Sequence, residues 1–111
     1  MVYLVAGYIL NQDQVMQWCL PRNIEPPDIY NIMLTLNRWL SSRNIPTCLL
    51  AVDFRGDSMY LVVTGRLIDS MATRTAFTPL KEDDRARKVK RQMDMGDVEF
   101  VTVADPYYQY E

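Results

Sequence analysis

Apolar and polar positions are arranged along the chain in a pattern that predicts four strands. The first, from Val2 to Leu10, is apolar at nearly every position, which is typical of a central strand that is covered on both faces. Gly7 lies inside this strand, and because glycine has no side chain we expect a neighbouring strand to approach the backbone closely there. The last strand is expected from Val98 to Val103.

A hairpin from Thr47 to Thr64 supplies the two middle strands, on either side of the turn sequence Arg55-Gly56-Asp57-Ser58. Gly56 tolerates positive φ at the first central position of a two-residue loop, so the expected register pairs Arg55 with Ser58. Because side chains alternate across a strand, this register divides the hairpin into two faces. We expect one face to form the core against the helices: Leu50, Val52, Phe54, Met59, Leu61 and Val63. The opposite face is also unusually apolar and carries Leu49, Ala51, Asp53, Tyr60 and Val62.

Two helices are expected between the first strand and the hairpin. Asn11 is a good N-cap residue and Gln14 completes the capping-box spacing, which predicts a short helix from Gln12 to Cys19. A longer helix is capped by Asp28 and extends to about Arg43. Apolar residues recur along it with the i, i+3, i+4, i+7 spacing of a helix that packs on a sheet. This stripe consists of Ile29, Ile32, Met33, Leu36, Trp39 and Leu40.

A third helix is expected between the hairpin and the last strand. Thr78 is a suitable N-cap residue, Pro79 suits the first helical position, and Gly96 marks the end. Few apolar residues lie on its inner face, so we expect residues 81–95 to present a broad charged surface. The apolar stripe consists of Leu80, Ala86, Val89 and Met93.

The order of these elements resembles the ferredoxin-like βαββαβ architecture, with an extra short helix in the first crossover. The resemblance implies an α+β fold with one antiparallel sheet, in which the first and third strands are central and the helices pack on one face. We expect residues 1–105 to form a single domain and residues 106–111 to form a tyrosine-rich C-terminal tail.

Composition agrees with one folded domain and limits its chemistry. The chain has 111 residues, of which 49% are hydrophobic, and no apolar run reaches the roughly 18 residues that a membrane span needs. No basic stretch precedes the apolar start, which argues against a secretory signal and favours a cytoplasmic protein. The chain has no histidine, and Cys19 and Cys48 are far apart without CxxC spacing. We therefore expect no metal site, no cofactor, and two buried, reduced thiols.

The missing histidine also removes the Ser-His-Asp and Cys-His mechanisms, and the GxGxxG and GxxxxGKS/T phosphate-binding loops are absent. We assign no catalytic residue and favour a role other than catalysis. One alternative stays open, namely a small-ligand-binding protein or enzyme of the dimeric α+β barrel kind. In that alternative Asp53 and Tyr60 would orient a mostly apolar ligand between two sheets.

Charge argues against nucleic acid as a partner. The net charge is −2, so the chain as a whole has no attraction for a polyanion. The one feature that supports a nucleic-acid-binding site is a basic run, which consists of Arg87, Lys88, Lys90 and Arg91. RNA-recognition motifs share the ferredoxin-like arrangement, but their third strand carries aromatic residues where this chain has Asp57-Ser58-Met59. We therefore interpret the basic run as a solvated helix face.

These observations favour a protein–protein interaction or assembly module. The sheet face without an assigned helix consists of Leu49, Ala51, Tyr60 and Val62, and exposed apolar patches of this kind usually mark interfaces. We expect a homodimer, or binding to another protein, through this face. Tyr107 and Tyr108 would either fold back on the face or dock on the second chain. This hypothesis implies that Val62→Glu converts a dimer into a monomer.

Overall fold

The computed structural model describes residues 2–24 and 31–106. It has an α+β fold with three helices and one antiparallel sheet of four strands. The elements in chain order are β1 Val2–Leu10, α1 Gln12–Cys19, a 3-10 turn Leu20–Arg22, α2 Ile32–Ser42, β2 Cys48–Phe54, β3 Asp57–Asp69, α3 Asp84–Met93 and β4 Glu99–Ala104. The expected cap at Asp28, the stripe residue Ile29 and the tail tyrosines Tyr107 and Tyr108 lie outside the described residues.

The strands lie in the order β2-β3-β1-β4, so β1 and β3 are central, as expected. β3 is displaced by one residue where it passes Gly7, because Ala6 pairs with Gly65 while Gly7 pairs with Val63. A Cβ atom on Gly7 would overlap the carbonyl oxygen of Val62. The predicted close approach of a neighbouring strand at Gly7 is therefore confirmed.

The turn of the β2–β3 hairpin differs from the expected one. Phe54 pairs with Asp57, so Arg55 and Gly56 are the two central residues, with φ of 52° and 84°. Positive φ at both positions is the requirement of a type I′ loop, in which glycine occupies the second position. The predicted pairing of Arg55 with Ser58 is wrong by two residues. A shift of two leaves every side chain on its original face, so the predicted division into two sets holds.

The helices pack on the face that was expected to be free of them. Leu49 and Val62 expose 2% and 0% of their surface and belong to one core with all three helices, and Tyr60 packs against that core. Ala51 shares this face because it pairs with Tyr60. The prediction that these four residues form an open interface is wrong. Both faces of the hairpin are apolar, so strand periodicity alone carried no information on which one the helices would choose.

The other face of the sheet, here called the helix-free face, carries side chains that belong to strands only. Its centre is nevertheless buried, because six side chains expose 8% of their surface or less. These are Val5, Ile9, Val52, Leu61, Val63 and Val101. Half-buried neighbours surround them: Cys48, Leu50, Phe54, Met59 and Val103. The centre of this face therefore offers little apolar area, and the apolar groups that remain partly accessible lie around it.

The third helix begins later than the sequence pattern predicts. α3 starts at Asp84, and the side chain of Asp83 caps it by accepting a hydrogen bond of 2.8 Å from the backbone N–H of Ala86. The predicted start at Thr78 is wrong because Leu80 is held by the sheet, its N–H donating to Oγ1 of Thr102 at 2.9 Å. Residues 77–83 instead cross one end of the sheet in a non-helical conformation.

Candidate functional site

β3 is much longer than β2, and part of it has a neighbour on one side only. The pairing of β2 with β3 ends at Cys48 and Val63, whereas β3 continues to Asp69 and pairs there with β1 alone. We call residues 64–69 the overhang. Alternate N–H and C=O groups of an antiparallel strand point to each side, and in the described ranges no backbone hydrogen bond reaches the outer side of the overhang. Among the residues that the structure describes, no strand pairs with this edge.

β2 stops where it does for a local reason. Pro46 lies two residues before its first residue and has no N–H to donate, so the ladder cannot continue through it. Thr47 closes the ladder, because its hydroxyl donates to the carbonyl oxygen of Val63. The space beside the overhang, in line with β2, is consequently not occupied by β2 itself.

The overhang is also where exposed apolar side chains gather. Leu67, Ile68 and Met71 expose 47%, 55% and 91% of their surface, and they are three of the five exposed large apolar residues in the described part of the chain. Leu67 lies opposite Leu4 on the helix side of the sheet, and Ile68 lies opposite Tyr3 on the helix-free side. Exposed apolar groups next to an open strand edge are a recurrent feature of interaction sites.

A cavity of about 450 Å³ adjoins the overhang on the β1 side. It is lined by Tyr3, Leu4, Arg66, Leu67, Ile68 and Asp105. One wall is fixed by an ion pair, in which Nη1 of Arg66 lies 3.2 Å from Oδ2 of Asp105, a side chain that is only 2% exposed. The backbone N–H of Asp105 in turn donates to the carbonyl of Tyr3 at 2.8 Å. The cavity is therefore a preformed, mostly apolar recess that could receive one side chain of a partner.

A groove of about 500 Å³ lies at the start of the overhang, next to the end of β2. Its lining residues include two arginines and no carboxylate: Pro46, Thr47, Cys48, Val63, Thr64, Gly65, Arg66 and Arg85. Arg66 directs Nη2 towards Sγ of Cys48 at 3.7 Å. Arg85, on α3, is exposed and forms no ion pair with the described residues. The charge of Arg66 is balanced by Asp105, so the positive charge of the groove comes from Arg85.

The predicted basic run on α3 is partly neutralised. Nη2 of Arg87 lies 2.6 Å from Oδ1 of Asp84, and this hydrogen bond lowers the pKa of the Asp84 carboxyl. Lys90 lies 5.6 Å from the centroid of the Tyr8 ring. The other two residues of the basic run, Lys88 and Arg91, are exposed. The sequence indicated a continuous cationic strip, whereas the structure engages two of its four members within the protein.

The alternative site at Asp53 and Tyr60 is not supported by the structure. Asp53 is exposed and pairs with Ser58, whereas Tyr60 is half-buried against the helix-side core and pairs with Ala51. Neither residue lines the cavity or the groove at the overhang. The expected register places Asp53 opposite Tyr60, and this pairing is wrong by two residues. The role of the two residues in orienting a ligand stays a prediction.

The overhang was missed by the sequence analysis. A signal was present, since Gly65 to Met71 has several apolar residues and follows a strong strand without a turn residue until Ser70. The predicted hairpin nevertheless ends at Thr64, because the residues that follow have only a weak period. That β3 extends beyond its neighbour β2 can be recognised only when the pairing of the two strands is known.

Comparisons with protein-family models, with curated proteins and with solved structures gave no match for this chain. None of the described helices is long and apolar enough to cross a membrane. Among the residues that the structure describes, no three Cys, Asp or Glu side chains are grouped so that they could hold a metal ion.

Proposed function

We propose that the protein acts by association, as a module that binds a polypeptide at the overhang of β3. The polypeptide is a second copy of this chain or another protein. The observation that carries this proposal is the concentration of exposed apolar side chains, Leu67, Ile68 and Met71, beside a strand edge without a partner. The surface differs from the one expected from the sequence, but the class of function is the same.

We also propose that the arrangement of elements is ferredoxin-like. The central position of β1 and β3, the antiparallel pairing of all neighbours and the packing of three helices on one face support it. In this arrangement β2 and β4 are the edge strands, and shortening one edge strand exposes part of its central neighbour.

The exposed apolar residues in and just beyond the overhang contribute to affinity but do not supply it alone. Burying a large apolar side chain completely contributes about 1.5–3 kcal/mol. Leu67, Ile68 and Met71 are roughly half exposed or more, so their burial would contribute on the order of 4 kcal/mol. Loss of translational and rotational freedom opposes association by a similar amount or more, so backbone and charge contacts must add to the apolar term. A transient or regulated interaction fits this balance.

The test compares two lysine variants at equally exposed leucines. Leu67→Lys alters the overhang, and Leu34→Lys is the matched control, since Leu34 on α2 is 52% exposed. A displayed library of peptides is selected against the wild-type protein, and sedimentation velocity measures self-association over a range of concentrations. We expect selected ligands, or a dimer, to lose at least about tenfold in affinity with Leu67→Lys and less than about twofold with Leu34→Lys. The proposal is wrong if neither ligands nor a dimer distinguishes the two variants.

A further inference from the structure

We propose that the overhang binds an extended, acidic segment of another polypeptide, which adds to the sheet as a strand antiparallel to β3 and in line with β2. This inference rests on the proposed function, because it names the partner class and the binding mode for the same surface. The open edge supplies the backbone groups, and the groove beside it supplies the space and the charge. Strand addition of this kind obtains affinity from main-chain hydrogen bonds and specificity from alternate side chains.

The edge has some of the features by which proteins prevent such pairing, namely the charged side chains of Arg66 and Asp69 and the one-residue bulge opposite Gly7, but Leu67 and Ile68 lie exposed between the two charges. Exposed edges are commonly protected by lysine, proline, inward charges or a very short strand. Here the overhang is six residues long and places Leu67 and Ile68 at its centre, with Asp69 at the end. Pro46 protects only the start of β2 and leaves the overhang itself accessible. Since all neighbouring strands in the sheet are antiparallel, an added strand would continue this arrangement most simply.

An added strand would present its side chains alternately to two different environments. Those on the helix side would meet Leu67 and Arg85, since Leu67 shares the face of Leu4 and Arg85 lies on α3. Those on the helix-free side would meet Ile68 and Arg66, which pair with Tyr3 and Val5. Each face therefore combines one apolar group and one guanidinium within reach of the added strand. The complementary segment therefore carries both an apolar and an acidic residue on each face, which a repeat of two apolar residues followed by two acidic residues provides.

Charge is the reason to choose an acidic segment over a second copy. The groove contains the guanidinium groups of Arg66 and Arg85 and no carboxylate, and Arg85 forms no ion pair within the described part of the chain. If a second copy paired through the same edge around Leu67, it would bring another Arg66 and another Arg85 to the site. Arg66 is already paired with Asp105, so the charge that a segment with glutamate or aspartate would balance is that of Arg85.

The probe is a synthetic peptide of eight residues with the repeat Val-Val-Glu-Glu, labelled with a fluorophore, so that each face of the extended peptide carries both valine and glutamate. N-methylation of every second residue leaves it one hydrogen-bonding edge, so it cannot form sheets with itself. Two control peptides have lysine in place of glutamate, or N-methylation at every residue. We expect the probe to bind the wild-type protein, measured by fluorescence anisotropy, with an affinity that falls as salt is added. Neither control peptide should bind.

Protein variants test the assignment of the charge. Arg85→Glu reverses the unpaired cation of the groove, and Lys88→Glu makes the same change at an exposed position of α3 that does not line it. We expect Arg85→Glu to weaken binding of the probe roughly fivefold, and Lys88→Glu to change it less than about twofold. Arg66 is left intact, because its removal would take away the ion pair that it forms with the buried carboxylate of Asp105.

Amide hydrogen exchange tests the binding mode. With the probe bound, alternate amides of residues 64–69 should exchange about tenfold more slowly, while those of α2 should not change. The inference is overturned if the probe does not bind, if the fully methylated peptide binds equally well, or if exchange in the overhang is unaffected. It is also overturned if, without the probe, these amides exchange more slowly as the protein concentration is raised. That result would mean that a second copy of the chain occupies the edge. If any of these results is obtained while Leu67→Lys still abolishes the binding of ligands selected from the library, the inference is wrong but the proposed function is retained.

Discussion

Tyr8 is the residue through which the sheet holds the segment before α3. Its ring is fully buried on the helix side and lies edge-on to Phe100 with 5.5 Å between ring centroids. Its hydroxyl donates a hydrogen bond of 2.9 Å to Oε2 of Glu82. Burial, and secondly this bond to a carboxylate, raise the pKa of Tyr8 far above its ordinary value of about 10. The sequence indicated an apolar strand position and gave no sign of this polar contact.

Tyr8→Phe should lower the free energy of unfolding by about 1–2 kcal/mol, because it removes a buried hydrogen bond to a charged acceptor. The measurement is urea unfolding at neutral pH. Tyr60→Phe is the matched control, since the described residues give the Tyr60 hydroxyl no hydrogen bond, and we expect it to change stability by less than about 0.5 kcal/mol. Equal effects of the two substitutions would contradict the role assigned to Glu82.

The same pair of proteins should differ in alkaline solution. Above about pH 10 the unfolded chain releases the Tyr8 proton while the folded protein retains it, so folded stability falls as the pH rises. Below pH 10 the phenol is protonated in both states and the contribution is complete. Between pH 9 and pH 11 the wild-type protein should therefore lose about 1 kcal/mol more than Tyr8→Phe does. Parallel pH profiles would show that Tyr8 ionises normally.

At the scale of elements, helix ends are the clearest test of sequence patterns. α1 forms as predicted, with reciprocal 2.8 Å hydrogen bonds between Asn11 and Gln14 completing the capping box. Its cap is local, so four neighbouring residues suffice to specify it. The end of α3 depends instead on distant residues. Nε1 of Trp18 and Nη2 of Arg22 each donate to the carbonyl oxygen of Met93 at 2.7 Å, and these contacts span more than 70 positions of sequence.

Arg22→Met should loosen the last turn of α3. It removes donors from the carbonyl of Met93 and a positive charge from the C-terminal end of the helix, which we expect to cost about 1–2 kcal/mol. Amides of residues 90–93 should exchange faster, and urea unfolding should report the loss in stability. Arg43→Met is the control, because Arg43 stacks on Trp39 at 5.2 Å much as Arg22 stacks on Trp18. If both variants behave alike, stacking rather than capping accounts for the effect.

At the scale of the whole molecule, the important result is which sheet face receives the helices. Leu49 and Val62 lie beneath the helices, with Ile32, Leu36 and Leu40 of α2 in the same core. The centre of each sheet face is buried, and three of the five exposed large apolar side chains in the described part of the chain lie at the end of β3 or just beyond it. The hypothesis of association through a flat sheet face is therefore replaced by one of association through the open edge of β3.

Val62→Glu and Leu67→Glu separate these two descriptions. Val62 is completely buried, so a glutamate there would be an unpaired buried charge and should cost more than about 4 kcal/mol, enough to prevent stable folding. Leu67 is 47% exposed, so the same change should cost less than about 1 kcal/mol. Circular dichroism and urea unfolding provide the measurement. A folded, stable Val62→Glu protein would mean that the helices pack on the other face.

The sequence by itself determined the succession of elements, the capping box of α1, the close approach at Gly7 and the two sets of side chains in the hairpin. Each of these follows from local spacing, because a period of two or 3.6 residues is written in neighbouring positions. Only the tertiary structure decided which apolar face meets the helices, since both faces have the same period and similar polarity. It also decided that β3 extends beyond the end of β2, because an open edge is a relation between strands and exists only after they pair.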